Sequence, residues 1–263
     1  MPEPRLQTNL PSIQKLRAAT SPPGVPPFHV GIVIGPGFIP MDMVGIQTVF
    51  GLMPGAEIHL LWKSTDLVEG FPNWWTKPTT TFADCPTLDV IAVPMLPPEI
   101  QNDAEVVGFV RSHGTRARYV IGICNGVVLL GAAGLLEGKR VTTSYNSLSI
   151  LSELGAIEVV TEAAGVVIDG NLYTAGPGVG SFEAALWVVA HAFGKAAGQL
   201  AELIIEYAPH PPFGTGTAKG AGPELVTRFE GLMAGMVSQY REGSIAASSR
   251  SGLPSHACTC SRT

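Results

Sequence analysis

A cysteine lies between two glycines where the sequence changes from a strand pattern to a helix pattern. The segment is GICNG, residues 122–126, with Cys124 at its centre and the apolar run ARYVI before it. Small apolar residues that suit a helix follow, in VVLLGAAGLL. A side chain at a strand-to-helix turn is presented at the edge of the sheet, and flanking glycines allow the turn to be tight. The pattern therefore predicts a nucleophile elbow that carries a thiol.

The predicted position of Cys124 gives its thiol a physical reason to be reactive. A thiol attacks as thiolate, and the free group, with a pKa of about 8.5, is mostly protonated at neutral pH. At a helix start the peptide dipoles place about half a positive charge near the sulfur, and unpaired N–H groups point toward it. We therefore expect an ionised sulfur. The alternative is a buried structural cysteine at the end of an apolar strand, which is common for free thiols.

Strand and helix patterns alternate on both sides of this turn. Helical patterns lie between apolar, β-branched runs that predict strands at 28–35, 56–63, 88–94 and 117–124. This alternation predicts an α/β fold with a doubly wound, mostly parallel sheet and helices on both faces. Ligands bind such sheets at the carboxyl ends of the strands, where Cys124 is expected. One long helix is predicted over 181–208.

The chain divides into one large domain and two appendages. Residues 1–27 are rich in proline and predict an extended arm, residues 28–243 form the α/β domain, and residues 244–263 predict a serine-rich, flexible tail. The glycine-rich segment 214–223 predicts a mobile loop. Cys258 and Cys260 follow His256 in the tail, as exposed thiols or as part of a metal site. Structural zinc usually needs four ligands at wider spacing, so no metal site is predicted.

Composition excludes several classes of partner. A net charge of −5 gives no basic surface for nucleic acid or an anionic membrane. No apolar run approaches the roughly 20 residues that span a bilayer. The first residues carry charges and prolines rather than the apolar segment of a signal peptide. Four cysteines are too few for a disulfide framework in 263 residues, so we expect a reducing, cytoplasmic location.

A catalytic partner for Cys124 is not evident from residue patterns alone. A hydrolase built on a cysteine elbow needs an acid and then a histidine later in the chain. His191 lies in an apolar helix and His210 in a proline-rich loop, settings that favour structural or surface roles. Asp42, interpreted in the same way, caps a helix that begins at Met43.

From Phe28 to about Phe213 the chain resembles the ThiJ/PfpI superfamily, which has a flavodoxin-like, class I glutamine-amidotransferase-like fold. Within it, the isonitrile hydratases are the most similar branch. The resemblance is carried by the segments TTTFADCPTLDVIAVP, ARYVIGICNGVVLLGAAGLLEGKRVTTSY, LGAIEVV, DGNLYTAGPGVGSFEAAL and IIEYAPHPPF.

This resemblance implies a homodimeric hydratase or lyase without cofactor, which converts an isocyanide to an N-substituted formamide. By position, Cys124 is the nucleophile and Asp42 the acid. Glu183 falls at a second acidic position of the family, or is only a first-turn acid that faces the helix dipole. A carboxyl group beside a thiolate has a raised pKa, so Asp42 could stay protonated and donate a proton.

The chain departs from the family around the expected pocket. Asn125 stands where threonine is common, and Met95-Leu96 replaces a Gly-Gly pair, which makes an oxyanion hole in that loop doubtful and the pocket more apolar. Ser144 and Tyr145 lie where many members have the histidine of a Cys–His dyad. The residues expected to contact a small-molecule substrate are Asn125, Gly126, Met95, Leu96, Ser144, Tyr145 and Trp75. Trp75, with Trp74, is alternatively a plug in the core.

Two other functions stay open at this point. One is an enzyme of specialised metabolism in which Asp42 and Glu183 do acid–base chemistry and Cys124 only assists. The other is a redox or stress-response protein in which Cys124 is oxidised reversibly.

Overall fold

A central sheet of seven strands organises the structure, a computed structural model that describes residues 10–20, 23–162 and 165–250. The strands are β1 (Phe28–Val33), β2 (Ala56–Trp62), β3 (Val68–Gly70), β4 (Trp74–Thr76), β5 (Thr80–Thr81), β6 (Val90–Val93), β7 (Tyr119–Ile123), β8 (Arg140–Val141), β9 (Glu158–Val159), β10 (Val167–Asp169) and β11 (Leu172–Ala175). The order in the large sheet is β10-β11-β7-β6-β1-β2-β5, and β3-β4 and β8-β9 form two small sheets.

The winding of the large sheet confirms the predicted fold class. All of its strand pairs are parallel except β10 with β11. Its five central strands follow the order β2-β1-β6-β7-β11, which is the flavodoxin-like order. The winding reverses between β1 and β6, and the loops at the carboxyl ends of strands near this reversal are the usual place for a ligand.

Helices cover both faces of the sheet. They are α1 (Pro11–Thr20), α2 (Pro40–Phe50), α3 (Pro98–Gln101), α4 (Ala104–Gly114), α5 (Gly126–Ala132), a 3₁₀ helix (Tyr145–Leu154), α6 (Gly180–Phe193), α7 (Lys195–Ile204) and α8 (Ala218–Arg250). Helix α6 packs on α2 and α7, whereas α5 packs on α4, α8 and the 3₁₀ helix. None of the helices in these described ranges is both long and apolar enough to cross a bilayer.

The helix predicted over 181–208 is in fact two helices. Gly194 has φ +95°, a conformation that favours glycine, and it separates α6 from α7. Continuous apolar periodicity on both sides of the glycine hid this break.

The appendages also differ from the prediction. Part of the extended arm is helical, as α1, and the boundary at 244 is wrong because α8 continues to Arg250. Tyr240, Ser244 and Ala247 are buried at helical spacing, so this part of the helix belongs to the core. The segment 214–223 contains the first turn of α8, which is interrupted at Gly222 with φ +77°. Cys258 and Cys260 lie outside the described residues.

Candidate functional site

Cys124 lies at the turn between β7 and α5, and its backbone has the unusual conformation of an elbow, with φ +54°. The residue is buried and 9% exposed. Gly126 makes the turn possible, because a Cβ atom there would overlap the carbonyl oxygen of Val93 and lie 2.6 Å from that of Pro94. The sequence motif thus corresponds to a cysteine with a strained, positive φ and to a glycine that allows the backbone at Val93 and Pro94 to approach closely.

Two hydrogen-bond donors contact the Cys124 sulfur. The backbone N–H of Asn125 and the hydroxyl of Ser144 both donate to it and lower its pKa. The Asn125 N–H is the helix-start donor expected from the motif. Ser144, predicted to bind substrate, is thereby placed directly beside the sulfur.

Asp42 is the third neighbour of the sulfur, and its carboxyl group is hydrogen-bonded to Cys124. The side chain is fully buried. Its Oδ1 accepts from the Gly178 N–H at 2.7 Å, and its Oδ2 accepts from the Met95 N–H at 3.2 Å. Loops at the ends of three strands, β6, β7 and β11, therefore meet at this carboxyl group.

The helix-cap interpretation of Asp42 is wrong. Helix α2 begins two residues earlier, at Pro40, and its N-cap residue Ile39 makes no side-chain cap. Asp42 therefore lies within the first turn, and its oxygens accept from distant loops rather than from its own helix.

The surroundings of Cys124 oppose the expectation of a sulfur held ionised by backbone dipoles. Burial, and then the nearby charge of Asp42, raise the pKa of the Cys124 thiol well above its usual range, against the two donors. Burial likewise raises the pKa of Asp42, against its hydrogen bonds from Gly178, Met95 and Cys124. The carboxylate thus disfavours ionisation of the thiol, whereas the hydrogen bond from the thiol favours the carboxylate. Burial and the neighbouring carboxyl group therefore both favour the protonated form of the Cys124 thiol.

Buried hydrogen bonds connect the loop after β6 to the elbow and to α8. The Leu96 carbonyl accepts from Gln101 Nε2 at 3.0 Å and from the Tyr240 hydroxyl at 2.7 Å. Gln101 Nε2 also donates to the Asn125 carbonyl at 2.7 Å. Leu96, predicted to contact substrate, thus fixes the loop that carries the Met95 N–H. Neither Gln101 nor Tyr240 was predicted from the sequence, although the helical spacing of Tyr240, Ser244 and Ala247 could have indicated a buried face in α8.

A cavity of about 620 Å³ opens beside Ser144. Strand-end residues Thr143 and Gly176 form its inner wall, and Leu225 and Phe229 of α8 form part of its outer wall. Tyr145 also lines it, with the hydroxyl donating to Glu230 at 3.0 Å. Because Ser144 lines the cavity and its hydroxyl is hydrogen-bonded to the Cys124 sulfur, the cavity begins next to the elbow, although neither Cys124 nor Asp42 lines it. Of the residues expected to contact substrate, Ser144 and Tyr145 line the cavity, whereas Asn125, Gly126, Met95 and Leu96 do not.

A family model described as the DJ-1/PfpI family matches residues 29–190. The chain belongs to the DJ-1/PfpI family. It is 40% identical over 201 residues to the isonitrile hydratase of Pseudomonas putida, an alignment that covers 75% of this chain and 86% of that protein.

Solved structures agree with this family assignment. The crystal structure of a ThiJ/PfpI family protein from Pseudomonas syringae matches with a TM-score of 0.78 at 31% identity, over 90% of this chain and 96% of that one. Drosophila melanogaster DJ-1beta matches with a TM-score of 0.57 at 18% identity, over 69% of this chain and all of that one, and so shares the fold.

Two predicted site residues of this DJ-1/PfpI domain lie apart from the pair. Glu183 Oε1 accepts from the Tyr207 hydroxyl at 2.9 Å, and Glu183 is not among the groups that shift the pKa of Cys124 or Asp42. Trp75, on the small β3-β4 sheet, is 63% exposed and does not line the cavity. The structure thus gives Trp75 neither the core position nor the contact with the pocket that the sequence suggested.

The two histidines considered as bases are also distant from this chemistry. His191 Nδ1 is hydrogen-bonded to the Tyr173 hydroxyl at 2.6 Å, in keeping with a structural role. His210 is exposed in the loop between α7 and α8.

Proposed function

We propose that this DJ-1/PfpI protein hydrates an isocyanide to an N-substituted formamide, with Cys124 as nucleophile and Asp42 as the proton carrier. The observation that carries the proposal is the buried hydrogen bond between the Cys124 sulfur and the Asp42 carboxyl, next to a cavity. The 40% identity to an isonitrile hydratase gives the reaction class.

In the first half of the proposed reaction the sulfur attacks the terminal carbon of the isocyanide. The thiol proton passes to the Asp42 carboxylate as the C–S bond forms, and Asp42 then delivers it to the same carbon. The product is a thioimidate in which the carbon carries one hydrogen. This order of events suits a buried site, because sulfur becomes nucleophilic only as its proton moves to Asp42 and no charge is added to the pair.

In the second half, water attacks the thioimidate carbon while the Asp42 carboxylate takes a proton from it. Asp42 passes that proton to the nitrogen, the C–S bond breaks, and the second proton of the water regenerates the thiol as the formamide carbonyl forms. The balance is one isocyanide and one water consumed for one formamide formed, with no redox change. Hydrogen bonds from the Met95 and Gly178 N–H groups keep the carboxyl in place for both transfers.

The cavity supports a substrate with an apolar substituent. Its outer wall includes Leu225, Val226 and Phe229, and Leu148 of the 3₁₀ helix faces it. At about 620 Å³ it lies within the usual size range of small-molecule pockets, roughly 300–1,000 Å³. We propose that the isocyanide carbon lies at the Ser144 end and the substituent against α8.

The test is to incubate the protein with cyclohexyl isocyanide and with methyl isocyanide in isotopically labelled water, and to follow the formamides by mass spectrometry. One labelled oxygen in the formamide and a higher kcat/KM for the cyclohexyl compound are expected. Absence of any formamide above the protein-free rate would contradict the proposal.

Reversible oxidation of Cys124 is less well supported. Sensor cysteines are accessible and have a low pKa, whereas this thiol is buried and its pKa is raised. Acid–base chemistry by Asp42 together with Glu183 also lacks support, because Glu183 is hydrogen-bonded to Tyr207 rather than to Cys124 or Asp42.

We further propose that the protein acts as a homodimer in the cytoplasm. Exposed apolar residues beside the acid support the dimer: Met41, 57% exposed, precedes Asp42, and Val179, 50% exposed, follows Gly178. Burying such side chains is favourable. Sedimentation velocity with the Met41→Lys variant tests this assembly, and a dimer is expected for the wild-type chain alone.

A further inference from the structure

Three side chains with metal-binding atoms converge at the amino-terminal edge of the sheet, opposite the edge that carries Cys124. His29 on β1 is paired with Glu57 on β2 in the parallel register, and His59 lies two residues beyond Glu57. Residues two apart on a strand share a face, as do directly paired residues on neighbouring strands. The register therefore places one imidazole from β1 and one imidazole and one carboxylate from β2 on the same face.

The distances between these donor atoms suit a single small cation. His29 Nδ1 is 3.1 Å from His59 Nε2 and 3.5 Å from Glu57 Oε2, and all three donor atoms lie within 4.8 Å of one another. Two ligands at about 2.0–2.1 Å from a tetrahedral zinc ion lie about 3.3 Å from each other. A cation can thus contact all three with small side-chain adjustments and no change of strand register.

A fourth residue orients one of the rings. His59 Nδ1 lies 3.0 Å from Thr80 Oγ1, on the neighbouring strand β5. When Nδ1–H donates to this hydroxyl, Nε2 carries the lone pair and faces His29. An outer hydrogen bond of this kind accompanies most metal-binding histidines, because it sets both the tautomer and the ring direction.

We propose that His29 Nδ1, Glu57 Oε2 and His59 Nε2 form a binding site for a divalent transition-metal cation of the Zn²⁺ class, with solvent completing the coordination. Two imidazoles and one carboxylate suit such ions better than Mg²⁺ or Ca²⁺, which prefer oxygen ligands. Without metal, one ring donates its N–H to the other. A bound cation takes both lone pairs and releases that proton to solvent.

The role of the site is structural, because it lies at the sheet edge away from the elbow. A cation there links the first residues of β1 and β2 across the strand pair. Since it binds the folded register and not the unfolded chain, it should raise the melting temperature with concentration. It makes no contribution to the proposed isocyanide chemistry, so the two proposals fail or succeed separately.

The test is titration of the untagged full chain with Co²⁺, a spectroscopic substitute for Zn²⁺, followed by competition with Zn²⁺. The protein used for the titration has the substitutions Cys258→Ser and Cys260→Ser, so that the tail cannot contribute thiolates. Expected are one equivalent bound, visible bands of four- or five-coordinate Co²⁺ and no sulfur-to-metal charge-transfer band. A charge-transfer band, or no binding at all, would overturn the proposal.

Variants then assign the ligands. Glu57→Gln keeps the shape of the side chain, and Thr80→Val keeps its β-branch. Loss of a comparable outer hydrogen bond lowers metal affinity about 10–100-fold, and we expect this decrease for Thr80→Val. Glu57→Gln and His59→Ala each remove a ligand and should lower the affinity at least as much. His210→Asn, an exposed histidine elsewhere, is the matched control and should bind as the parent does. Unchanged affinity and unchanged Zn²⁺-induced melting shift in the two conservative variants would show that the cation binds elsewhere.

Discussion

The carboxyl group of Asp42 is hydrogen-bonded to the sulfur of Cys124, although the two residues are far apart in the chain and belong to different βα units. The charge of Asp42 raises the pKa of the Cys124 thiol, whereas the hydrogen bond from the thiol lowers the pKa of Asp42, and both groups are buried. These effects favour a thiol that is hydrogen-bonded to the carboxyl group over a free thiolate. In the proposed reaction, the nucleophile therefore forms only when the thiol proton moves to Asp42.

Replacing Cys124 with alanine should abolish formamide production and leave the fold intact. The sulfur is the only atom lost, and the backbone elbow depends on Gly126 rather than on the thiol. Formamide is measured by mass spectrometry and folding by circular dichroism. Cys85→Ala is the matched control, because Cys85 is a partly buried cysteine outside the site whose thiol donates to the Pro86 carbonyl. This variant should keep full activity. Turnover by Cys124→Ala would exclude covalent catalysis.

Asp42→Asn should lower kcat by about 10²–10⁴-fold, the usual contribution of a positioned acid–base group. An amide cannot carry the proton, and its NH₂ group would face one of the two N–H donors that now contact the carboxylate. That mismatch should also reduce the free energy of unfolding by about 1–3 kcal/mol. Steady-state kinetics and urea denaturation measure the two effects.

Glu183→Gln is the matched acid-to-amide control for Asp42→Asn. Because Glu183 is hydrogen-bonded to Tyr207, we expect a change in kcat far smaller than that of Asp42→Asn. Equal losses in the two variants would instead favour acid–base chemistry shared by both carboxylates.

The pH dependence of thiol alkylation should report the coupling between the pair. The negative charge of Asp42 raises the pKa of Cys124, so removal of that charge in Asp42→Asn should lower it. The alkylation rate with iodoacetamide, which follows the thiolate fraction, should then rise at lower pH in the variant than in the parent. Both chains carry Cys258→Ser and Cys260→Ser. Cys85 contributes little, since burial raises its pKa to about 11. Identical profiles would show that the two groups do not interact.

The elbow could be predicted from the sequence because its signals are local. Gly122, Cys124 and Gly126 lie within five residues, and apolar runs on either side define the strand and the helix. The resemblance to a known family added Asp42. Tyr240 and Gln101 were missed because their roles depend on contacts with Leu96 from other elements.

Strand register was equally inaccessible from the sequence. The His29, Glu57 and His59 donors come together only once β1 is paired with β2. Trp75 shows the opposite error, since two adjacent tryptophans suggest burial but lie exposed on a small separate sheet.

Gly126→Ala should be strongly destabilising, since the new methyl group would overlap the carbonyl oxygen of Val93 on β6. Overpacking of this kind costs about 1–3 kcal/mol or more. Gly108→Ala in α4 is the matched control, because no atom lies within 4 Å of the added Cβ and alanine favours helix by about 0.5–1 kcal/mol. Urea denaturation should therefore give changes of opposite sign. A stable Gly126→Ala protein would mean that the elbow is looser than described.

Tyr240→Phe should test whether α8 supports the catalytic loop. The variant removes one of two hydrogen bonds to the buried Leu96 carbonyl, at a cost of about 1 kcal/mol in the free energy of unfolding. Because the same loop presents the Met95 N–H to Asp42, we also expect a drop in kcat, smaller than that of Asp42→Asn. Tyr145→Phe is the control for stability, since its hydroxyl donates to Glu230 at the surface and its loss should change the free energy of unfolding far less than Tyr240→Phe does. If Tyr240→Phe unfolds at the same urea concentration as the parent, the hydrogen bond from α8 does not stabilise the loop that carries Leu96.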